Sequence, residues 1–323
     1  MQPRTFLQNT VVVLKGMAMG AADVVPGVSG GTIAFISGIY EELVQTIDGL
    51  SPAALQVWKK ESFATAWKKY NLTFLLCVFG GVVVSILSLA KLITFLLDAH
   101  PLPVWGFFFG LVLASIVYVG KQMTAHNIKT VVAVILAAAF SYYITVARPI
   151  GSPESTWFLF LAGFIAIIAM ILPGISGAFI LLLLGAYKPV MGVITNLSDG
   201  VANGDWPLVA GAVLKILVFG AGAILGLKVF SKALTWLFQH YKNTTLAILT
   251  GFMIGALNKI WPWKKVLEHR TASSGHEVPF IEKSILPAHY PEDPKILLVC
   301  VFAATGFMLI FLLERFSTPK KTA

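Results

Sequence analysis

Long apolar stretches separated by short polar ones dominate the pattern along this chain. Ten apolar segments recur, five in each half, and most approach the length of about 20 residues that an α-helix needs to cross a bilayer. The two-residue alternation of a transmembrane β-barrel does not accompany them. The pattern therefore predicts an all-α polytopic membrane protein. The segments cover 6–25, 28–44, 72–97, 103–119 and 130–147 in the first half, and 156–172, 175–190, 208–238, 245–260 and 296–313 in the second.

A short motif rich in Pro, Gly and Ser occurs once in each half. The first copy, from Asp23 to Tyr40, contains Pro-Gly-Val-Ser-Gly-Gly-Thr, and the second, from Leu172 to Tyr187, contains Pro-Gly-Ile-Ser-Gly-Ala. All matching positions are separated by the same number of residues, and weaker likeness continues beyond the motif. Such an internal repeat is typical of secondary transporters. The matched pairs are Pro26 with Pro173, Ser29 with Ser176, Gly30 with Gly177, Gly38 with Gly185 and Tyr40 with Tyr187.

Each half contains an odd number of segments, which decides how the two halves are related. After an odd number of crossings the second half enters from the opposite face, so we expect an inverted-topology repeat. The first repeat covers 1–147 and the second covers 148–323. Each half then consists of a re-entrant helical hairpin, 6–44 or 156–190, followed by three transmembrane helices.

The hairpin interpretation depends on charges and on the Pro-Gly turn. Lys15 and Asp23 lie in the first arm of 6–44, and a charge at the bilayer centre costs at least about 2.5–3.5 kcal/mol. A re-entrant pair that faces a cavity avoids this cost and tolerates broken backbone. Gly38 and Gly185 are expected within the return helices, where they allow close packing. The alternative is a kinked pair of ordinary spans in each half, which gives ten spans instead of six spans and two hairpins.

Charged residues are sparse and lie mostly between the apolar segments. Only 12% of the 323 residues are charged, against about a quarter in soluble domains, and the formal net charge is +9. We interpret the basic residues as a topology signal rather than a nucleic-acid surface, which makes both termini cytoplasmic and the loop 261–295 extracytoplasmic. The predicted cytoplasmic face carries Arg4, Lys59, Lys60, Lys68, Lys69, Lys121, Lys129, Lys242, Arg315, Lys320 and Lys321.

The helix start after each Pro-Gly break is a candidate anion site. Four backbone N–H groups at a helix N-terminus lack intrahelical partners, and the helix dipole places its positive end there. Small residues leave these groups accessible. Ser29 and Ser176 can donate to a ligand or simply cap their helices, and both interpretations stay open. The predicted cradle consists of Ser29, Gly30, Gly31 and Thr32 in the first copy and of Ser176, Gly177 and Ala178 in the second.

Ionisable residues near the breaks supply candidate charge partners, since such residues inside a membrane are functional by default. Arg148, Lys15 and Lys188 could offset the charge of a bound anion, and an Arg suits bidentate phosphate contact. Lys188 can instead extend to the membrane interface. Glu41 and Asp23 are the candidate carboxylates for proton coupling, and Asp23 can alternatively cap a turn.

The stretches 23–42 and 170–187 resemble the polyprenyl-phosphate (undecaprenyl phosphate) transporter family, and the likeness extends over about residues 11–315. The resemblance implies that the chain moves undecaprenyl phosphate, the C55 lipid carrier, from the outer to the inner leaflet of the bacterial cytoplasmic membrane. This step recycles the carrier for peptidoglycan and other cell-wall polymers. The family often has Ser after the second Ser-Gly pair and an acidic residue after the Tyr. This chain has Ala178 and Lys188 there, and Lys188 is an added candidate phosphate partner.

The physics of lipid transfer agrees with that expectation. A charged head group crosses hydrocarbon at a cost of many kcal/mol, whereas the isoprenoid tail can stay in lipid. A midplane cradle that opens to one face at a time would therefore suffice. Moving one negative charge inward opposes an inside-negative potential by about 2.3 kcal/mol per 100 mV, so we expect coupling to a proton or another cation.

Two other functions stay open. A small-anion transporter or channel could use the same cradle but would need a closed aqueous route. An integral-membrane lipid phosphatase is less favoured, because the sequence has no His-Glu-x-x-His metal motif, and Ser141 stands where a phosphatase motif ending at Arg148-Pro149 requires Lys. We therefore predict a non-enzymatic transporter without cofactor or metal, whose partners are the lipid phosphate and membrane lipids but not nucleic acid.

Overall fold

The computed structural model describes residues 4–25, 28–50, 57, 59–148, 155–271 and 277–317. Pro26 and Gly27 of the first predicted break lie outside these residues, as do Pro149, Lys320 and Lys321. The helices are α1 (Phe6–Val24), α2 (Gly30–Ile36), α3 (Tyr40–Gly49), α4 (Phe63–Lys69), α5 (Leu72–Ala99), α6 (Pro101–Lys121), α7 (Ile128–Val146), α8 (Thr156–Ile171), α9 (Gly177–Leu183), α10 (Tyr187–Asn203), α11 (Trp206–His240), α12 (Lys242–Ala256) and α13 (Ile296–Ser317).

Several of these helices are long and apolar enough to cross a membrane. Over the described residues there are four, α5, α6, α7 and α11, and a fifth span results if the bent pair α9–α10 is counted as one. The helices α8 and α13 are apolar but shorter, and α12 has 15 residues. The prediction of a polytopic helical membrane protein is confirmed. The predicted span 245–260 is displaced, because its helix begins at Lys242 and ends at Ala256.

Polar residues between the apolar segments define where helices begin. Thr5 and Gln8 form a capping box at the start of α1, in which each side chain bonds the other residue's backbone N–H. The side chains of Asn127, Ser155 and Asp205 each accept a hydrogen bond from a backbone N–H in the first turn of the following helix. These caps separate apolar runs that would otherwise be continuous.

The helices of the two halves pack in matching pairs. Helix α1 packs against α5, as α8 packs against α11, while α6 packs against α13 and α7 against α12. Small residues permit these contacts, because a Cβ added at Gly16 or Gly163 would clash with a carbonyl oxygen of the partner helix. A two-fold relation between the halves predicts this pairing, and the inverted orientation of the halves in the membrane stays a prediction.

Each return arm is two helices rather than the single helix that the sequence suggested. Gly38 and Gly185 adopt left-handed backbone, with φ of +73° and +69°, directly after the C-cap residues of α2 and α9. The next residue, Ile39 or Ala186, donates to a carbonyl five positions earlier, which is the Schellman arrangement that ends a helix. The expected packing role is wrong for Gly38, since a Cβ added there would meet nothing within 4 Å. Helices α9 and α10 consequently meet at 106°.

The loop 261–295 contains a β-hairpin, so the all-α prediction is wrong for this segment. Strands β1 (Lys264–Thr271) and β2 (Glu277–Ser284) pair antiparallel. Charged residues interrupt the apolar alternation of both strands, so the sequence pattern does not indicate these strands. The indole N–H groups of Trp261 and Trp263 donate to the carbonyls of Ile285 and Pro294, both at 2.8 Å, and hold the hairpin to the ends of the neighbouring helices.

Candidate functional site

The two motif copies, distant in sequence, meet in the structure. The hydroxyl of Ser29 lies 3.3 Å from the carbonyl oxygen of Met170 and 3.2 Å from that of Leu172, so it donates to the backbone just before the second break. The backbone N–H of Gly174 in turn donates to the Thr32 hydroxyl at 3.0 Å. The two polar residues of the first copy therefore satisfy the broken backbone of the second.

The start of α2 is closely packed. The side chains of Ser29 and Thr32 are 1% and 0% exposed. A Cβ added at Gly31 would clash with the carbonyl oxygen of Ile171, so only glycine permits this approach of two backbones. The start of α2 is thus packed directly against the end of α8 in the second half of the protein.

The chain's own groups occupy the N–H groups at the start of α2. The N–H of Gly30 donates to Asp23 Oδ1 at 2.7 Å, and the N–H of Gly31 donates to the Ser29 hydroxyl at 3.1 Å. The prediction that these N–H groups are accessible is wrong for Gly30 and Gly31, because the Asp23 carboxylate in the last turn of α1 and the Ser29 hydroxyl accept from them. A carboxylate therefore stands where an anionic ligand would approach.

The second copy is more open. Ser176 begins α9 without capping it through its side chain, Ala178 is exposed, and Gly177 packs against the backbone of α8. Met170 stands at the position that matches Asp23, so this copy has no corresponding carboxylate. The two copies therefore differ in charge although their motifs match.

A small cavity adjoins the second break, and sequence reasoning missed three of its polar residues. Ser141 and Thr145 lie one turn apart on α7, and Lys259 follows α12 with its ammonium 4.7 Å from the centre of the Phe179 ring. The spacing of two hydroxyls on one face of an apolar helix was the available signal. The lining consists of Ser141, Ile144, Thr145, Gly174, Ile175, Ser176, Phe179 and Lys259.

The three cations predicted as phosphate partners lie elsewhere. Lys15 donates to the carbonyl of Ser37 at 2.6 Å, at the opposite end of α2 from Ser29. Arg148 and Lys188 are exposed. Within the described residues, no hydrogen bond or ion pair joins these cations to the motif serines.

The two predicted coupling carboxylates have different surroundings. Asp23 contacts the first helix start directly, as described above. Glu41 pairs with Lys242 at 3.1 Å, and its side chain is 39% exposed. Asp23 is therefore the carboxylate that the structure brings to the predicted cradle.

Comparisons with known proteins point to one family. A family model described as undecaprenyl phosphate translocase-like matches residues 19–278. A polyprenyl-phosphate transporter of Vibrio cholerae serotype O1 is 43% identical over 302 residues, which are 92% of this chain and 94% of the relative. A polyprenyl-phosphate transporter of Staphylococcus aureus is 32% identical over 263 residues, 77% of this chain and 85% of the relative. No solved structure matches.

Proposed function

Since this chain belongs to the undecaprenyl phosphate translocase-like family, we propose that it carries undecaprenyl phosphate from the outer to the inner leaflet of the bacterial cytoplasmic membrane. The observation that carries the proposal is the contact between the two breaks, where Ser29 donates to the backbone of Leu172. This contact brings the first helix start to the second break, where Gly174 and Ser176 line a cavity together with the Lys259 ammonium. A phosphate head group needs hydrogen-bond donors such as the Lys259 ammonium and the Ser176 hydroxyl, while its tail stays in lipid.

The proposed orientation places both termini in the cytoplasm and the β-hairpin outside. The matched helix pairs, α1 with α5 and α8 with α11, support a repeat of 1–147 and 148–323, and we propose that the two halves are inverted in the membrane. Each half then supplies one re-entrant hairpin and three transmembrane helices. One half would open toward the outside and the other toward the cytoplasm. The same phosphate site would then face each leaflet in turn.

The place of Asp23 supports proton coupling as a part of the proposal. A phosphate that approached the Gly30 N–H would meet the Asp23 carboxylate, and two anions repel each other. A proton on Asp23 removes this repulsion and weakens its hold on the N–H. Phosphate and proton would therefore bind together, which offsets the cost of about 2.3 kcal/mol per 100 mV for moving a negative charge inward.

The test is a vesicle assay with the purified full chain. Vesicles of phosphatidylethanolamine and phosphatidylglycerol contain a polyprenyl phosphate, and an added impermeant phosphatase reports the fraction exposed outside over time. We expect the protein to let the enzyme reach the lipid of the inner leaflet. Uptake of inorganic phosphate without lipid movement would instead support the small-anion alternative, and phosphate release by the protein itself would support the phosphatase alternative.

Two glycine-to-alanine variants test the predicted cradle. A Cβ at Gly30 would lie 2.5 Å from Asp23 Oδ2 and must displace the carboxylate, whereas a Cβ at Gly80 in α5 meets nothing within 4 Å. We expect Gly30→Ala to lose lipid movement and Gly80→Ala to keep it. Equal rates in the two variants would remove the first helix start from the mechanism.

A further inference from the structure

Two lysines share one carboxylate beside the cavity at the second break. The ammonium groups of Lys259 and Lys264 lie 3.3 and 3.8 Å from the same oxygen, Glu282 Oε2. The three side chains are only 15%, 7% and 19% exposed, in the same order. Two cations on one carboxylate leave a surplus positive charge in a place with little water, and such a charge attracts anions strongly.

Lys264 is also incompletely satisfied. Its ammonium is buried and donates no hydrogen bond among the described residues, and it lies 3.5 Å from the centre of the Trp105 ring. A buried donor without an acceptor is costly, and the aromatic ring replaces only part of the lost hydration. An anion with more acceptor atoms than Glu282 offers would satisfy it.

The cluster is continuous with the second motif copy. Lys259 belongs both to the ion pair with Glu282 and to the cavity lining that includes Thr145 and Ser176. Its ammonium also lies over the ring of Phe179, in the first turn of α9. A head group bound at the lysines would therefore need only a short movement to reach the hydroxyls beside the break.

We propose that Lys259 and Lys264 form an entry site for a phosphate monoester head group, and that Glu282 occupies this site until the phosphate displaces it. A phosphate monoester carries about −1.5 to −2 charges at neutral pH and has three acceptor oxygens. It can accept from both ammonium groups at once, which one carboxylate oxygen cannot do as well. The inference rests on the proposed function and assigns to its outward-facing state the residues that receive the lipid.

Binding of farnesyl phosphate to the purified full chain in detergent, measured by titration calorimetry, tests the site. We expect Lys259→Gln and Lys264→Gln each to weaken binding about tenfold or more, as for loss of a charge-assisted hydrogen bond. Glu282→Gln should tighten binding severalfold, because it removes the competing carboxylate. Lys265→Gln is the matched control, since Lys265 is an exposed neighbour on the same strand, and its binding should equal that of the wild type.

The affinities of farnesol and inorganic phosphate, compared with that of farnesyl phosphate, show which part of the ligand the site binds. Weak binding of farnesol confirms that the phosphate is required, and weaker binding of inorganic phosphate than of farnesyl phosphate indicates a lipid head group. Equal affinity for both phosphates would overturn the lipid assignment. Wild-type affinity in both lysine variants, or no gain in Glu282→Gln, would overturn the site. Misfolding cannot imitate the gain expected from Glu282→Gln.

The vesicle assay separates this inference from the proposed function. If the wild type moves polyprenyl phosphate but the lysine variants bind farnesyl phosphate normally, the entry site is wrong and the proposed function stands. If the wild type moves no lipid although its binding depends on Lys259 and Lys264, the transport proposal is wrong and the entry site stands.

Discussion

The carboxylate of Asp23 accepts a hydrogen bond from the backbone N–H of Gly30 at 2.7 Å. This bond places a negative charge at the first helix start, whereas Met170 occupies the matching position before the second. The two halves therefore cannot receive an anionic head group in the same way. Under the proposed function, head-group binding at the first half would require that its own carboxylate be neutralised or displaced, whereas binding at the second half would not.

Replacing Asp23 should uncouple lipid movement from the pH gradient. Asp23→Asn keeps the size of the side chain and an oxygen for the Gly30 N–H but cannot carry a proton. We expect wild-type vesicles to move polyprenyl phosphate faster when the gradient drives protons in the direction of lipid movement, and we expect the variant not to respond. The measurement is the rate of lipid exposure with and without an imposed gradient.

Glu41→Gln is the control for this experiment. Glu41 is the other sequence-predicted carboxylate, but it is partly exposed and pairs with Lys242. We expect its variant to respond to the gradient like the wild type. A response that survives in Asp23→Asn and disappears in Glu41→Gln would transfer the coupling role to Glu41.

The sequence pattern predicts where the two breaks lie. It does not predict which groups form hydrogen bonds with the backbone at these breaks. The spacing around Ser29 and Ser176 is local information, and it sufficed to predict two helix starts after Pro-Gly. The partner of the Gly30 N–H depends on how the start of α2 packs against the end of α1, which the pattern does not encode. The pattern does not indicate Lys259 for a related reason, because its place beside the cavity depends on the contact of its ammonium with the Phe179 ring.

The repeat could also not show that each return arm breaks a second time. The sequence favours a packing role for Gly38 and Gly185, since glycine in an apolar segment commonly permits close helix contact. The helix end at these positions depends on the hydrogen bonds of Ile39 and Ala186, which close a Schellman turn. A glycine followed by such a turn and a glycine at a helix contact look alike in sequence.

The two motif serines should respond differently to replacement by alanine. Ser29 accepts from the Gly31 N–H and donates toward the carbonyls before the second break, so Ser29→Ala should destabilise the protein by about 1–3 kcal/mol. Ser176 makes no capping bond and lines the cavity, so Ser176→Ala should change stability little but weaken farnesyl phosphate binding. Thermal unfolding in detergent and binding calorimetry measure the two effects.

Each serine variant is the control for the other. We expect Ser29→Ala to lower thermal stability more than Ser176→Ala does. A similar loss of thermal stability in both variants would show that Ser176 also has a structural role, and unchanged phosphate affinity in Ser176→Ala would exclude its hydroxyl from the site.

Cysteine labelling should place the β-hairpin and α4 on opposite sides of the membrane. The native cysteines Cys77 and Cys300 are first replaced by serine. Single cysteines are then introduced at the exposed positions Lys265, on β1, and Lys69, at the end of α4. In intact bacterial cells whose outer surface is accessible, an impermeant maleimide should label the variant at Lys265 and not the one at Lys69. The reverse result would invert the proposed orientation.

The stability of the wild type should rise with pH relative to a Lys264→Met variant. Burial of the ammonium lowers the pKa of Lys264 from 10.5 to about 8; Glu282 opposes this shift and Lys259 adds to it. Between these two values the unfolded chain binds more protons than the native one at this position, so the free energy of unfolding increases as the pH rises through that window. Below about pH 8 the native state bears the full cost of the buried charge. The change in the pKa of Lys264 corresponds to a cost of about 3 kcal/mol in the free energy of unfolding.

Lys264→Met keeps an unbranched apolar side chain against Trp105 and cannot titrate. We therefore expect the variant to unfold at a higher temperature than the wild type at pH 7, and the difference should shrink as the pH approaches 10. Groups that titrate equally in both proteins cancel in this comparison. Parallel dependence of the two melting temperatures on pH would mean that Lys264 keeps an ordinary proton affinity, and would argue that the Glu282 ion pair compensates its burial.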